Sequence, residues 1–242
     1  IPIDKKTATK YFKKAADLGN TEAMYRLSVI FANGLGVKIS KKKSAYYCKM
    51  AADNGDIDAL YKYGSLLYKG EGIPENKKES LRYYQMAADK GQVDAMYDVY
   101  LMLEKGDGIE KDINESQKYF QMAIKNNQKD ATNEYAKELY KKGDKESAAK
   151  YFKIAADNGQ IDAMYHYSLI LNKGEGIPSN KEESILYLKT AAENSHIESM
   201  HEFALMLFNG SNGINKDLEK SAHLFKTAAS HGFIPSIYNY AL

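Results

Sequence analysis

The chain has 242 residues; 44% of them are hydrophobic, 27% are charged, and 34 basic against 32 acidic side chains leave a formal net charge of +2. This balance excludes a disordered chain and the strong basic excess of a nucleic-acid-binding surface. No apolar run approaches the roughly 18 residues of a membrane span, and a single cysteine excludes an internal disulfide framework. We therefore expect no nucleic-acid partner and no membrane span, and the cytoplasm is favoured over the lumen of the endoplasmic reticulum.

A five-residue motif, Ala-Ala-Asp-x-Gly, recurs along the chain. Full copies begin at Ala15, Ala51, Ala87 and Ala155, and degenerate copies begin at Ala123, Ala191 and Ala228. The steps between successive copies are 36, 36, 36, 32, 36 and 37 residues. Self-similarity at this period predicts an array of small repeats rather than one globular core.

The array, residues 1–242, divides into six full repeats with a half repeat at each end. The first half repeat, residues 1–19, supplies a helix that we call helix B, and the last, residues 233–242, supplies the start of a helix A. The full repeats are residues 20–55, 56–91, 92–127, 128–159, 160–195 and 196–232. Because terminal repeats of an array need a polar outer face, Tyr238 and Tyr240 indicate that a longer chain or end-to-end self-association covers the last half repeat.

Each full repeat is predicted to be a pair of helices. In residues 56–91, apolar side chains from Ala59 to Leu67 recur at spacings of three and four, which indicates a helix A with one buried face. Two glycines and a proline in residues 70–74 end this helix and turn the chain back. Helix B follows and ends at Gly91.

The start of each helix B has the strongest local signal. Residues that commonly cap helices occupy one column: Asp4, Ser40, Asn76, Asp112, Asp144, Asn180 and Asp217. Each side-chain oxygen can accept a hydrogen bond from an amide of the first turn, worth on the order of 1 kcal/mol. Small residues fill the columns where helices A and B must approach closely, and a column of tyrosines that begins at Tyr11 is predicted to lie in the core.

These residues resemble the Sel-like repeat, the longer relative of the tetratricopeptide repeat. Its G-x-G loop appears at residues 34–37, 70–73, 106–109 and 174–177, with a stretched version at residues 210–214. The resemblance implies an all-α fold, a right-handed α-solenoid of antiparallel helix pairs, and a role in assembling other proteins. The leucine-glycine pair of the family is mostly altered in this chain.

The repeat at residues 128–159 departs from the others because it lacks the G-x-G loop. Its helix A is predicted to run to Lys142, and Gly143 and Asp144 turn the chain directly into helix B. This repeat has the length of a tetratricopeptide-like hairpin. We expect a local change of superhelical pitch there.

Residues that could support catalysis or bind a metal are sparse. His196 and His201 lie about 140° apart around a helix, so they cannot bind one ion from the same helix. His166 and His201 could approach each other, but no third ligand is evident and zinc usually takes three or four. We expect solvated histidines, a buried and inert Cys48, no metal and no cofactor. A small-ligand or metal-dependent hydrolase is the alternative hypothesis.

The face of helices A carries the candidate binding residues. One column varies in charge along the array: Arg26, Lys62, Asp98, Glu134, His166 and Glu202. A second column, one turn further on, also varies in character: Ser65, Leu101, Lys137 and Leu169. By analogy with tetratricopeptide arrays, helices A line a concave groove. We expect this groove to bind an extended peptide or a helix of a partner protein, which makes the chain a non-enzymatic scaffold or adaptor; a solvated face, or a spacer and self-assembly element, are the alternatives.

Overall fold

The computed structural model describes residues 4–211 and 213–241, which form fourteen α-helices and no strand. The helices are α1 (Lys5–Asp17), α2 (Thr21–Asn33), α3 (Lys41–Asp53), α4 (Ile57–Lys69), α5 (Lys77–Asp89), α6 (Val93–Lys105), α7 (Ile113–Lys125), α8 (Lys129–Lys141), α9 (Lys145–Asp157), α10 (Ile161–Lys173), α11 (Lys181–Glu193), α12 (Ile197–Asn209), α13 (Leu218–Ser230) and α14 (Ile234–Ala241). The all-α prediction is confirmed. Asn212, in the stretched loop, lies outside the described residues.

Consecutive helices form the antiparallel pairs of an α-solenoid. Even-numbered helices are helices A, odd-numbered helices are helices B, and each helix A packs on the helix B that follows it. The chain divides into two compact units between Asn126 and Asn127. We call them the N-terminal half and the C-terminal half. Within each half, a helix B also packs on the next helix A, which buries a continuous core along the stack.

Side-chain caps start both kinds of helix. All seven predicted residues cap a helix B, as when Asn76 Oδ1 accepts a hydrogen bond of 3.0 Å from the amide of Glu79. Helices A are also capped, which the sequence analysis missed, by the side chains of Asn20, Asp56, Gln92, Gln128, Gln160 and His196. Glutamine and histidine are not preferred caps, so the sequence pattern does not identify this column as a set of helix caps.

The G-x-G loop needs both of its glycines. Gly70 ends α4 in the left-handed conformation, with φ of 67°, and donates its amide to the carbonyl of Leu66. Gly72 also has a positive φ, and a Cβ placed there would lie 2.3 Å from the carbonyl oxygen of Lys41 in the preceding helix B. The loop therefore contacts the previous repeat closely. In the repeat at residues 128–159, α8 ends at Lys141 and Gly143 alone turns the chain.

Small residues at the helix-pair interface also carry hydrogen bonds. The Ser80 hydroxyl donates to the carbonyl of Gly64 at 2.8 Å, and Ser184 donates to the carbonyl of Ser168 at the same distance. These carbonyls belong to helix A of the same repeat. In these two repeats the serine therefore helps to fix the register of the helix pair as well as allowing close approach.

The aspartate of the recurrent motif links neighbouring repeats. Tyr83 donates from its hydroxyl to Asp53 Oδ1 at 2.8 Å, and Tyr119 donates to Asp89 Oδ1 at 3.3 Å. In both pairs the tyrosine lies thirty residues after the aspartate, on the next helix B. The motif thus joins successive helices B.

The tyrosine column is buried or half-buried where a helix A of the same repeat covers it. Tyr83 is 1% exposed and packs edge-on against Tyr63 of α4, with ring centroids 4.8 Å apart. Tyr11 is 65% exposed, so its predicted core position is wrong. It lies on α1, the first described helix, and its repeat has no helix A among the described residues to cover the ring.

Candidate protein-binding surface

The two variable columns of helices A lie three residues apart, which places their members side by side on one face. Arg26 and Lys62 are exposed. The other predicted residues are half-buried: Asp98, Glu134, His166, Glu202, Ser65, Leu101, Lys137 and Leu169. A half-buried surface residue is shielded on one side by the protein and remains open to a partner on the other.

In the N-terminal half, Asp98 and Leu101 open onto one cavity of about 150 Å³, which we call the N-pocket. Its lining residues are Tyr68, Tyr84, Asp98, Leu101, Met102, Lys105 and Asp107. The Tyr61 hydroxyl donates to Asp98 Oδ2 at 3.0 Å. Burial is the main cause that raises the pKa of Tyr61, and the negative charge of Asp98 raises it further. The phenol therefore stays protonated and remains a donor.

In the C-terminal half, His166 and Leu169 open onto a cavity of equal size, which we call the C-pocket. Its lining residues are Tyr140, Phe152, His166, Leu169, Ile170, Lys173 and Glu175. The His166 ring lies over Phe152, with centroids 5.2 Å apart. The two pockets thus join members of both variable columns, although the sequence analysis did not predict a cavity.

One acidic residue at the rim of each pocket belongs to the G-x-G loop. Glu175 accepts hydrogen bonds from Lys145 Nζ at 2.7 Å and from the Tyr140 hydroxyl at 2.5 Å. The Lys145 contact, then the Tyr140 contact, lowers the pKa of Glu175. In the N-pocket, Asp107 likewise accepts from Lys77 and Tyr68. The middle residue of the loop therefore forms an ion pair with the preceding repeat and also lines the pocket.

Lys137, a predicted binding residue, is held by Asp162 in the C-terminal half. Asp162 Oδ2 lies 2.5 Å from Lys137 Nζ and 2.9 Å from Asn133 Nδ2. The Nε2 atoms of His166 and His196 lie 3.5 and 3.8 Å from Asp162 Oδ1, too far for hydrogen bonds but close enough for electrostatic attraction. The two histidines, with Lys137 and Asn133, hold the pKa of Asp162 well below its ordinary value.

The sequence pattern did not identify Asp162 as a partner of Lys137, because a local effect within the helix already accounts for an acidic residue at this position. An acidic residue occupies the first turn of each helix A from α2 to α12: Glu22, Asp58, Asp94, Asp130, Asp162 and Glu198. Such residues complement the positive end of the helix dipole, so the column looks purely structural. The available signal was Asn133, which interrupts a column of tyrosines at Tyr25, Tyr61, Tyr97 and Tyr165.

Arg26 and Ser65 also have partners within the N-terminal half. Arg26 Nε lies 2.7 Å from Glu22 Oε1 on the same helix, and both side chains remain mostly exposed. The Ser65 side chain lies near the Tyr84 hydroxyl and partly opposes the rise that burial causes in the pKa of Tyr84. Exposed pairs of this kind are worth about 0–1 kcal/mol, so Arg26 can exchange Glu22 for a partner group at little cost.

Two histidines contradict the expectation of solvated side chains. His201 is 7% exposed and hydrogen-bonds Ser236 Oγ through Nδ1 at 2.8 Å. Burial lowers its pKa. His196 accepts a hydrogen bond of 3.3 Å from the Ser199 amide through Nδ1, so its ring is held at the first turn of α12. The column of His196 otherwise holds the caps of helices A, and the column of His201 otherwise holds half-buried tyrosines and Asn133.

Cys48 is buried as predicted. It is fully inaccessible, and burial raises the pKa of its thiol to about 12. Among the described residues, no group of three or more His, Cys, Asp or Glu side chains is arranged to hold a metal ion. Of the helices in the described part of the chain, none is long and apolar enough to cross a membrane.

The stacked helix pairs define an α-helical repeat protein. The model of the Sel1 repeat family matches residues 1–20, 21–56, 57–92, 93–128, 130–160, 161–196 and 197–233. The chain therefore belongs to the Sel1 repeat family. Proteins of this family generally mediate protein–protein interactions and are generally not enzymes.

Solved structures share the fold. A Sel1 repeat protein from Oxalobacter formigenes is 24% identical with a TM-score of 0.79, and the match covers 94% of each chain. A protective antigen of uropathogenic Escherichia coli is 22% identical with a TM-score of 0.77, and the match covers 99% of this chain and 52% of the antigen. The chain thus spans about half the antigen's length. An immunity protein from Pseudomonas aeruginosa is 18% identical with a TM-score of 0.55, over 89% of this chain and 82% of that one. A search of curated sequences found no match.

Proposed function

We propose that the chain is a non-enzymatic scaffold or adaptor that binds an extended peptide or a helix of a partner protein on the face of helices A. The observation that carries this proposal is the pair of cavities, one in each half, at equivalent positions of the repeat. Each cavity is lined by one member of each variable column. A repeated cavity with a changing lining is what a protein-recognition surface requires.

The composition of the cavities supports a protein ligand. Each has an apolar floor with charged residues at its rim, the arrangement found at the centre and edge of protein interfaces. A third cavity, lined by Arg26 and Val29 among others, has about 470 Å³, whereas the N-pocket and the C-pocket each have about 150 Å³, well below the roughly 300–1,000 Å³ of a drug-sized ligand site. Single side chains of a partner fit cavities of this size better than a whole metabolite does.

A matched pair of charge reversals tests the proposal. Arg26→Glu with Lys62→Glu alters the exposed face of α2 and α4, whereas Lys42→Glu with Lys78→Glu makes the same change in charge on exposed positions of α3 and α5. The immobilised full chain and both variants are incubated with an extract of the source organism, and bound proteins are quantified by mass spectrometry.

We expect at least one protein to bind the unmodified chain and the Lys42/Lys78 variant equally and to be lost from the Arg26/Lys62 variant. Equal binding to both variants, or equal loss from both, would contradict the assignment of the surface. Circular dichroism of each variant checks that the helices are intact.

A further inference from the structure

The N-pocket and the C-pocket are lined by the same seven repeat positions. Tyr68, Leu101 and Lys105 of the N-pocket correspond to Tyr140, Leu169 and Lys173 of the C-pocket. The acidic loop residue is also shared. At the rim, the charge differs where the N-pocket has Asp98 and the C-pocket has His166, and beneath it Tyr84 of the N-pocket corresponds to Phe152 of the C-pocket.

The floor of the C-pocket is apolar and of defined size. Phe152 and Ile170 are buried beneath it, and Leu169 forms one side. A cavity of about 150 Å³ lined by leucine, isoleucine and phenylalanine has room for a benzene ring. The C-pocket therefore matches one large aliphatic or aromatic side chain.

The rim of the C-pocket carries an excess of positive charge. Its one carboxylate, Glu175, lies 2.7 Å from Lys145 Nζ and 3.9 Å from Lys173 Nζ, so two ammonium groups share one acid. Lys173 is the weaker contact, and its side chain is 61% exposed. Its charge is therefore available to a ligand.

The rim of the N-pocket has no such excess. Its ammonium groups, Lys77 and Lys105, face two carboxylates, Asp98 and Asp107. The substitution of an imidazole for the carboxylate of Asp98 is what leaves the C-pocket positive. A ligand with a negative charge beside an apolar group is thus complementary to the C-pocket and not to the N-pocket.

We propose that the C-pocket binds a partner peptide through one large apolar side chain that lies next to an aspartate or glutamate. The apolar side chain enters between Phe152, Leu169 and Ile170, and the neighbouring carboxylate pairs with Lys173 at the rim. This inference rests on the proposed function, because it specifies the chemistry of a partner on the same face.

Selection from a phage-displayed library of random dodecapeptides on the immobilised full chain tests the specificity. We expect enriched peptides to combine a Leu, Ile, Phe or Tyr with an adjacent acidic residue. A synthetic copy of the most enriched peptide is then titrated by fluorescence anisotropy against the full chain and four variants.

The variants are matched between the two pockets. Leu169→Trp fills the C-pocket and is expected to weaken binding more than tenfold, whereas Leu101→Trp, which fills the N-pocket, is expected to weaken it far less. Lys173→Gln is expected to weaken binding about two- to fivefold, as for an exposed ion pair, and to remove most of the dependence on salt concentration. Lys105→Gln, the matched change in the N-pocket, is expected to have a smaller effect on both.

The outcomes separate this inference from the proposed function. The C-pocket assignment is overturned if the enriched peptides bind equally well to the Leu169→Trp and Leu101→Trp variants, or if they show no preference for acidic residues. In either case the proposed function, binding of a peptide by this chain, still stands. If no peptide is enriched, the C-pocket inference is overturned. If, in addition, no protein is retained from the extract, the proposed function fails as well. A Leu169→Trp variant with an altered circular dichroism spectrum is replaced by Leu169→Glu, for which the same loss of binding is expected.

Discussion

The N-pocket and the C-pocket show how one repeat yields two different surfaces. The N-terminal half surrounds its pocket with tyrosines and carboxylates, including the Tyr61 hydrogen bond to Asp98. The C-terminal half replaces Tyr61 by Asn133 and Asp98 by His166, and gathers both around Asp162. The comparison teaches that the repeat fixes the shape of the helix A face, whereas a few variable positions fix its charge and hydrogen bonding.

The largest expected effect tests how tightly the two halves pack the middle of a helix A. A Cβ at Gly64 would lie 2.8 Å from the buried ring of Tyr84, which lines the N-pocket. We expect Gly64→Ala to lower the free energy of unfolding by about 1–3 kcal/mol, because overpacking forces the ring out of place. The matched change in the C-terminal half, Ser168→Ala, removes a hydrogen bond to the carbonyl of Tyr165 and should cost about 0.5–1 kcal/mol. Urea unfolding followed by circular dichroism measures both; equal losses would contradict the comparison.

The next effect tests the polar cluster of the C-terminal half. Asp162→Asn should cost about 1–3 kcal/mol near pH 7, because a charged acceptor facing Lys137 and Asn133 is lost. Asp58→Asn, at the same helix position in the N-terminal half, is the control. Asp58 is exposed, so Asp58→Asn should lower the free energy of unfolding only by the loss of its interaction with the helix dipole, about 0.3–1 kcal/mol.

The Asp162 effect should depend on pH in a defined direction. Its pKa is lowered in the folded chain, so its contribution to stability is complete above the pKa of the unfolded carboxyl and is lost as the pH falls. The difference between the unmodified chain and Asp162→Asn should therefore shrink below about pH 4. Urea midpoints measured from pH 7 to pH 3 check this, and a difference that grows on acidification would refute the assignment.

A smaller effect concerns the turn between repeats. Ser195 has φ of 68° at a position where the other repeats mostly have glycine. Ser195→Gly should stabilise the C-terminal half by about 1 kcal/mol, since an L-residue is strained there. Gly91→Ser, at the same position of the N-terminal half, should destabilise by a similar amount, because nothing lies within 4 Å of its Cβ position and only backbone strain changes. Shifts of thermal midpoint in the same direction for both variants would disprove this account.

The smallest effect tests the bond between successive helices B. Tyr83→Phe removes the hydroxyl that donates to Asp53 and should cost about 0.5 kcal/mol. Tyr151→Phe alters the same column of the C-terminal half and serves as the comparison variant. Hydrogen exchange of the amides of α3 and α5 should rise in the Tyr83→Phe variant; unchanged protection would show that the hydroxyl adds nothing to the packing.

Much of the architecture was predictable because it follows from local rules. The seven caps of helices B, the glycine loops and the alternation of helices A and B depend on contacts within a few residues, so a single repeat contains their signal. The buried Cys48 was predictable from its column for the same reason. The change of superhelical pitch at residues 128–159, the division into repeats and the self-association of the chain ends remain predictions.

The candidate site was predictable only in part. The variable columns identified Asp98, Leu101, His166 and Leu169 as neighbours on one face, since a spacing of three residues sets this directly. The cavities were not predictable, because each is completed by Tyr68 or Tyr140 from the helix A of the preceding repeat.

The sequence by itself determined a Sel1 repeat array: its period, helix pairs and caps, which all arise from interactions between residues close in the chain. Only the tertiary structure decided the hydrogen bond from Tyr83 to Asp53, the burial of His201 and the pairing of Lys137 with Asp162. These contacts join side chains about 25 to 35 residues apart. The packing of one repeat on the next brings such residues together, and no local pattern specifies which polar groups then share a partner.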